Sequence, residues 1–220
     1  MTAPNSTASE QYRALRTNLE FLGVTDHLQT IQVTSGVPGA GKSLTAANLA
    51  IVMAQAGRRV LLVDADLRRP TIHHLFASAN LSGLTTAMTR LENWPQYLTP
   101  SPLSNLAVLT SGPIPPNPSE MLGSSAMSHL LKSFQGEYEY VIVDTPPVVA
   151  YTDAAALSQL VDGSIFVVRA DFASRQADLK GKERLEQVNA RILGIVLNGL
   201  NLEGDQAYSY YYGYGAKAPS

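Results

Sequence analysis

The chain has 220 residues, of which 45% are hydrophobic and 15% are charged. This composition excludes intrinsic disorder for the chain as a whole and fits one ordinary domain with short appendages. Sixteen basic and eighteen acidic residues give a formal net charge of −2. Because proteins that bind nucleic acid through general electrostatics usually carry a strong excess of basic residues, we expect no nucleic-acid partner. The absence of cysteine excludes disulfides, cysteine-ligated metals and a cysteine nucleophile.

The sequence shows no targeting or membrane-spanning segment. The N-terminal residues have neither the basic nor the apolar region of a signal peptide, and no apolar run reaches the roughly eighteen residues of a transmembrane helix. We therefore expect a soluble, cytoplasmic chain.

The predicted elements begin with a helix whose apolar residues Tyr12, Leu15, Leu19 and Leu22 recur at three-and-four spacing, with Ser9 as its N-cap. Short Val/Ile-rich runs follow at 31–34, 60–63, 140–143, 164–168 and 192–197, and 106–110 is a weaker candidate. Such continuous runs are typical of strands buried on both faces of a parallel sheet. Helical patterns cover 43–56, 119–134, 153–160 and 174–189. The alternation predicts an α/β fold with a mostly parallel, doubly wound sheet and helices on both faces.

Three regions are expected along the chain: an N-terminal helical segment at 1–28, a core at 29–201 and a tail at 202–220. The tail carries five of the ten tyrosines in a Gly- and Ser-rich context. These tyrosines are Tyr208, Tyr210, Tyr211, Tyr212 and Tyr214.

The strongest motif is Gly-Val-Pro-Gly-Ala-Gly-Lys-Ser at 36–43, which matches G-x-x-x-x-G-K-[ST] and lies between a predicted strand and a predicted helix. Its glycines let successive backbone N–H groups face a phosphate, and the helix N-terminus adds its positive end. Lys42 is placed to reach the β- and γ-phosphates, and the Ser43 hydroxyl is a magnesium ligand. The residues expected to contact the nucleotide are Gly36, Pro38, Gly39, Ala40, Gly41, Lys42, Ser43 and Leu44.

Three aspartates follow hydrophobic strands. Asp64 and Asp66 come directly after the run at 60–63, and Asp144 follows the run at 140–143. The carboxyl ends of strands are where open α/β sheets bind nucleotides. Because three acids beside a P-loop repel one another unless a divalent cation is bound, the sequence implies Mg²⁺ together with ATP.

With this P-loop, Leu-Val-Asp-Ala-Asp-Leu-Arg-Arg-Pro at 62–70 and Val-Asp-Thr-Pro-Pro at 143–147, the chain resembles the bacterial tyrosine kinases (BY-kinases) over nearly its whole length. Glu10, Arg13 and Arg16 also fit the E-x-x-R-x-x-R motif with which that family forms rings. The tyrosine-rich tail resembles the family's autophosphorylation cluster.

The resemblance implies an Mg-ATP-dependent protein-tyrosine kinase that autophosphorylates its tail, between subunits of a ring-like homo-oligomer, and regulates capsular or extracellular polysaccharide synthesis and export. It assigns Asp64 to accept the proton of the substrate tyrosine, beside Lys42, and Asp66 and Asp144 to hold Mg²⁺ with Ser43. Asn198 stands where related P-loop ATPases contact adenine. The resemblance also implies a membrane-spanning activator domain or adaptor, a cognate tyrosine phosphatase, and a place at the inner face of the plasma membrane.

Two other functions stay open. One is a nucleotide-switched ATPase of the partition or positioning type, which acts by ATP-dependent dimerisation. Such ATPases usually carry a lysine where this chain has Val37, and they do not require a tyrosine tail. The other is a polysaccharide-assembly subunit that binds ATP without transferring phosphate.

Several residues keep two interpretations. Glu10, Arg13 and Arg16 could instead form a solvated charged face with local ion pairs. Arg68 and Arg69 could steer an acidic substrate or a phosphate, or could contact another subunit.

Overall fold

A computed structural model describes residues 6–170 and 175–200, with the side chains of residues 25 and 26 left out. The strands are β1 (Thr30–Ser35), β2 (Val60–Asp64), β3 (Leu106–Leu109), β4 (Tyr140–Asp144), β5 (Gly163–Arg169) and β6 (Ile192–Asn198). The helices are α1 (Thr7–Asp26), α2 (Lys42–Gln55), α3 (Ile72–Leu75), α4 (Leu84–Thr89), α5 (Pro118–Leu122), α6 (Ser125–Glu137), α7 (Asp153–Leu157) and α8 (Arg175–Gln187). A 3₁₀ helix covers Leu91–Tyr97.

The six strands form one parallel sheet in the order β3-β2-β4-β1-β5-β6. This confirms the predicted α/β class, including the weaker strand candidate that became β3. The order places β1 in the interior of the sheet, between β4 and β5, so the loop after β1 opens at the carboxyl edge. Strands β2 and β4 are neighbours in a register that pairs Asp64 with Asp144. Two of the predicted acids therefore lie side by side at that edge.

The two faces of the sheet bury two separate apolar clusters, because successive strand side chains point to opposite faces. On one face, Ile31, Val33 and Leu62 pack with α2 and with Leu19 of α1. On the other face, alternate residues of β2 and β4, such as Leu61 and Val143, pack with α4, α6 and the 3₁₀ helix. These two strands are therefore apolar on both faces, as predicted. In β1 the buried polar residues Gln32 and Thr34 alternate with Ile31 and Val33, so the prediction of a continuous apolar run there is wrong.

Helix α1 begins earlier than its sequence pattern predicts. Its N-cap is Ser6, whose Oγ accepts a hydrogen bond from the Ser9 N–H at 3.2 Å, so the prediction of Ser9 as the cap is wrong. Ser9 lies inside the first turn and is buried. Both serines could cap a helix, and the apolar spacing alone did not separate them.

The predicted helix at 119–134 is in fact two helices. Gly123 ends α5, and Ser124 caps α6 by accepting a hydrogen bond from the Met127 N–H at 3.3 Å. The short helices α3 and α4 and the 3₁₀ helix were not predicted, because elements of four to seven residues show too little periodicity.

Strand β6 closes one side of the sheet and is only partly covered: Ile195 and Leu197 are exposed. Within the residues that the structure describes, no helix has the length and apolar character needed to cross a bilayer. The tail boundary at 202 lies outside the described residues.

Phe134 anchors the second apolar cluster. It is fully buried on α6, and its ring meets Trp94 edge-on with centroids 4.8 Å apart. We expect Phe134→Ala to lower the free energy of unfolding by about 3–5 kcal/mol, because it removes a large side chain and leaves a cavity. Phe21→Ala is the matched control, since Phe21 is 72% exposed on α1, and it should change stability by less than about 0.5 kcal/mol. Urea denaturation measures both, and equal effects would contradict the assignment of Phe134 to the core.

Candidate active site

The P-loop at residues 36–43 joins β1 to the start of α2, as the sequence predicts. Gly39 and Gly41 have φ angles of 79° and 93°, in the left-handed region that favours glycine. At Gly41 there is a second constraint, because a Cβ would lie 2.0 Å from Nδ2 of Asn198. Glycine at this position is therefore required by both the backbone conformation and the available space.

Side chains at the ends of β5 and β6 donate hydrogen bonds to carbonyl groups of the P-loop. Asn198, at the end of β6, donates from Nδ2 to the Ala40 carbonyl at 3.0 Å. Arg169, at the end of β5, donates from Nη1 to the Gly39 carbonyl at 3.2 Å. The adenine contact assigned to Asn198 remains a prediction, whereas its amide has a definite role in shaping the loop.

Lys42 lies among carboxylates. Its Nζ is 2.6 Å from Oδ2 of Asp66 and 4.0 Å from Oδ1 of Asp144, and it donates to Ser43 Oγ at 3.4 Å. Burial lowers the pKa of Lys42, but the carboxylates of Asp144 and Asp66 outweigh burial, so its pKa is raised overall. Lys42 is therefore a fixed positive charge at the end of the P-loop.

Asp144 is the least satisfied of the three acids. Its side chain is fully buried, and neither carboxylate oxygen has a hydrogen-bond partner. Burial raises the pKa of Asp144 to about 6, although the charge of Lys42 and the nearby Ser43 hydroxyl act in the opposite direction. A buried carboxylate without donors is costly, so this position has the character of a cation ligand.

Asp64 is also fully buried, but its oxygens are occupied. Oδ1 accepts the Asp66 N–H at 3.2 Å, and Oδ2 accepts the N–H groups of Thr71 and Ile72 at 3.1 and 3.0 Å. Burial, and then the charge of Asp144, raises the pKa of Asp64 well above its usual value. In this geometry Asp64 fixes the chain that leads into α3, while Asp66 is the acid that reaches Lys42.

The oxygen donors at this edge fit a magnesium ion. Magnesium is usually held by one or two carboxylates together with waters and substrate phosphates, not by an all-protein cage. The unpartnered oxygens of Asp144, the Asp66 carboxylate and the Ser43 hydroxyl supply ligands of this kind. Among the described residues no group of three or more acidic or histidine side chains is arranged to hold a metal ion by itself.

A cavity of about 370 Å³ opens beside the P-loop. Lys42, Ser43 and Asp66 line it, as do Pro38 and Leu44, which were predicted to contact nucleotide. The other lining residues are Gly39, Gly41, Arg68, Arg69, Thr71, Pro147, Ala150 and Tyr151. Asp64 is not among them.

One group beside this cavity was missed at the sequence level. Arg68 donates from Nε and Nη2 to the two oxygens of fully buried Asp153, at 3.0 and 3.1 Å, and its Nη2 also lies 3.3 Å from Ser119 Oγ. The Arg68 Cζ lies 4.6 Å from the centroid of the Tyr151 ring. No sequence signal identifies this pair, because 85 positions separate Arg68 from Asp153.

The proposed ring motif lies on α1. Glu10 is exposed and forms an ion pair with Arg13, whereas Arg16 donates to the Val52 carbonyl of α2 at 3.3 Å and lies 3.8 Å from Glu20. The three residues therefore divide between surface and packing roles within one chain. The tail cluster Tyr208, Tyr210, Tyr211, Tyr212 and Tyr214 lies outside the described residues.

Comparison with known proteins gives consistent matches. A family profile described as "ParA: NUBPL iron-transfer P-loop NTPase" matches residues 27–217. The tyrosine-protein kinase YwqD of Bacillus subtilis is 44% identical over 211 residues, which cover 96% of this chain and 89% of that protein. The putative tyrosine-protein kinase CapB of Staphylococcus aureus is 34% identical over 210 residues, covering 96% of this chain and 92% of that protein.

A solved structure agrees with these sequence matches. The kinase domain of the Escherichia coli tyrosine kinase ETK superimposes with a TM-score of 0.85 at 36% identity, covering 94% of this chain and 81% of that one. The structural similarity therefore covers most of the chain.

Asp144 provides a test of the buried charge. We expect Asp144→Asn to raise the free energy of unfolding in EDTA at about pH 8 by roughly 1–3 kcal/mol, because ionised Asp144 has no donor to compensate its burial. The folded chain keeps the Asp144 proton up to a pKa of about 6, whereas the unfolded chain releases it near 3.8. The parent should therefore lose stability relative to the variant as the pH rises between these values, and the difference should stay constant above them.

Urea denaturation at about pH 4, 6 and 8 measures this difference. Ser133→Ala, at an exposed hydroxyl of α6, is a control that should show no such pH trend. A variant that is less stable than the parent at pH 8 in EDTA would contradict the assignment.

Proposed function

Because this chain belongs to the bacterial tyrosine-protein kinases, a branch of the ParA-type P-loop NTPases, we propose that it transfers the γ-phosphoryl group of Mg-ATP to its own C-terminal tyrosines. The family makes the chain a nucleotide-binding protein-tyrosine kinase. We propose further that it regulates capsular or extracellular polysaccharide synthesis and export, as the family resemblance implies.

One observation carries the catalytic proposal: the P-loop lysine lies among strand-end carboxylates. Lys42 Nζ is 2.6 Å from Asp66 and 4.0 Å from Asp144, whose oxygens have no hydrogen-bond donor. This arrangement supports binding of a phosphate chain along the loop, with Lys42 neutralising charge on the transferred group. Ser43, Asp66 and Asp144 would hold Mg²⁺, which when bound would offset the negative charge of the phosphates.

We propose Asp64 as the base that accepts the proton of the tyrosine hydroxyl. A tyrosine has a pKa of about 10, so it needs such an acceptor to become a good nucleophile near neutral pH. The raised pKa of Asp64 supports this role, because a carboxylate with a higher pKa is a stronger base. Because Asp64 is buried, the substrate tyrosine must pass the turn at 66–72 to reach it. Asp66 is the alternative base, since it already lines the cavity.

We also propose how the chain assembles and where it acts. The exposed Glu10–Arg13 pair on α1 supports contact between copies of the chain in a ring-like homo-oligomer. We propose that a neighbouring subunit's tail enters the site, that a membrane-spanning activator domain or adaptor stimulates transfer, and that a cognate tyrosine phosphatase reverses it. The chain would then act at the inner face of the plasma membrane.

The first experiment incubates the full chain with Mg-ATP and maps phosphate by intact mass and peptide spectra. We expect phosphate on the tyrosines at 208–214 in the parent and a loss of at least about a hundredfold in Lys42→Met, because that variant lacks the charge that stabilises the transferred group. Lys182→Met on α8 is the matched control, since the Lys182 side chain is 42% exposed and pairs with Glu186 one turn further along the same helix, and it should keep full activity.

The other outcomes are equally informative. ATP hydrolysis without phosphotyrosine, even with an activator peptide present, would favour the nucleotide-switched ATPase. Neither hydrolysis nor transfer under those conditions would favour an assembly subunit. Phosphate that persists in Lys42→Met would remove the P-loop lysine from the mechanism.

A second experiment separates the two candidate bases. If Asp64 is the base, Asp64→Asn should lower kcat by about 10²–10⁴-fold with little change in nucleotide affinity, whereas Asp66→Asn should mainly weaken Mg-ATP binding. Kinetics and nucleotide titration on both variants measure this, and denaturation checks each fold, because Asp64 also accepts three backbone hydrogen bonds. An Asp64→Asn variant that is folded and retains kcat within about threefold would assign the base to another group.

A further inference from the structure

Part of the cavity wall outside the P-loop has no role in the phosphate chemistry described above. It is formed by Pro147, Ala150 and Tyr151 together with Arg68 and Arg69. The whole cavity, at about 370 Å³, falls within the range of small-ligand sites. These five residues lie outside the loop at 36–43, so they belong to a part of the cavity that the phosphate-binding motif does not account for.

Three basic side chains line the cavity, and they differ in whether a carboxylate of the chain pairs with them. Lys42 is paired with Asp66, and Arg68 is paired through two hydrogen bonds with buried Asp153. Arg69 is exposed, and within the part of the chain that the structure describes it makes no ion pair with a carboxylate. Arg69 is thus a cation at the cavity whose partner the described chain does not supply.

The backbone fixes the position of Arg69 relative to the catalytic centre. Oδ1 of Asp66 accepts the Arg68 and Arg69 N–H groups at 3.3 and 2.9 Å, while Oδ2 of the same carboxylate bonds Lys42. On the adjacent side, Arg68 is held against Tyr151 and Asp153 and cannot rotate freely. The Arg69 backbone is therefore held next to the carboxylate that contacts the P-loop lysine, which keeps the guanidinium within one side-chain length of that carboxylate.

We propose that Arg69 selects acceptor tyrosines that carry an anionic group, either a carboxylate or a phosphate, on a nearby residue of the same segment. This inference rests on the proposed kinase function and names the class of acceptor. The chain's own sequence offers both sources: Glu203 and Asp205 precede Tyr208, and each phosphorylated tyrosine becomes an anionic neighbour of the next. A guanidinium suits either group, because it forms paired hydrogen bonds with carboxylate and with phosphate.

The test measures binding of labelled peptides of residues 203–215 to the full chain with Mg²⁺ and a non-hydrolysable ATP analogue. Every peptide keeps Tyr208 as its only unmodified tyrosine, and the other tyrosines are replaced by Phe except where Tyr210 is phosphorylated. One peptide has Glu203 and Asp205, the second carries Glu203→Gln and Asp205→Asn, and the third adds to those neutral changes a phosphorylated Tyr210. We expect the parent to bind an anionic peptide about fivefold more tightly than the neutral one, the size of a favourable exposed ion pair.

Arg69→Ala should abolish this preference, and Arg69→Glu should reverse it, without loss of the fold, because Arg69 is exposed. Arg90→Ala, at an exposed arginine that does not line the cavity, is the matched control and should keep the preference. The two anionic peptides distinguish the sources: preference for the first alone assigns carboxylate recognition, and preference for the third alone assigns phosphate recognition.

Three results would overturn the proposal. The parent could bind all peptides with equal affinity, Arg69→Ala could weaken the binding of every peptide by the same factor, or Arg69→Ala could lower the affinity for the ATP analogue and leave the peptide preference unchanged. An unchanged preference with an altered size on gel filtration would assign Arg69 to a subunit contact. The same peptides incubated with Mg-ATP separate this inference from the kinase function. Arg69-dependent binding without transfer contradicts the kinase function alone, and transfer without Arg69-dependent preference contradicts this inference alone.

Discussion

The carboxyl edge of this sheet concentrates more negative charge than its own side chains neutralise. Three buried aspartates lie near one lysine, and the register of β2 and β4 places Asp64 and Asp144 opposite each other. The surrounding residues treat the three acids differently: backbone N–H groups satisfy Asp64, Lys42 satisfies Asp66, and Asp144 has no donor. The arrangement is electrostatically incomplete, and a cation with a phosphate chain completes it.

This incompleteness connects the fold to its chemistry. A sheet optimised only for stability would not keep an unpartnered carboxylate at full burial, because desolvation without a hydrogen bond costs free energy. The charge is tolerated because strands on either side of β4 and an apolar layer on each face hold Asp144 in place. A cation bound at this edge would compensate the charge of Asp144, and the stability given up there would then favour that binding.

Local motifs explain why so much of the site could be predicted from the sequence. The P-loop at 36–43 and the aspartates at 64, 66 and 144 are each defined by a few adjacent residues at the end of an apolar run, and a parallel sheet brings such ends together. The features that escaped prediction depend on distant partners. Arg68 and Asp153 are far apart in the chain, and only the packing of α5 against α7 brings Ser119 to the same pair.

The sequence also left the orientation of the acids undetermined. Spacing alone places Asp64 and Asp66 at one strand end, but it does not reveal that the N–H groups of Thr71 and Ile72 turn toward Asp64. That detail depends on the unpredicted four-residue helix α3. The start of α1 was displaced for a similar reason, because Ser6 and Ser9 are both capable caps and the packing decides between them.

The hydrogen bond between Asn198 and the P-loop has a consequence for how the tyrosine tail can be removed. Asn198 is the last residue of β6, and its amide holds the Ala40 carbonyl, so the nucleotide site extends to within ten positions of Tyr208. A truncation after Leu200 deletes the tyrosines that we propose as acceptors and leaves Asn198 in place. A truncation only three residues shorter, after Leu197, removes Asn198 and its hydrogen bond to the Ala40 carbonyl. Its inactivity would then reflect an altered P-loop even though it looks like a loss of acceptors.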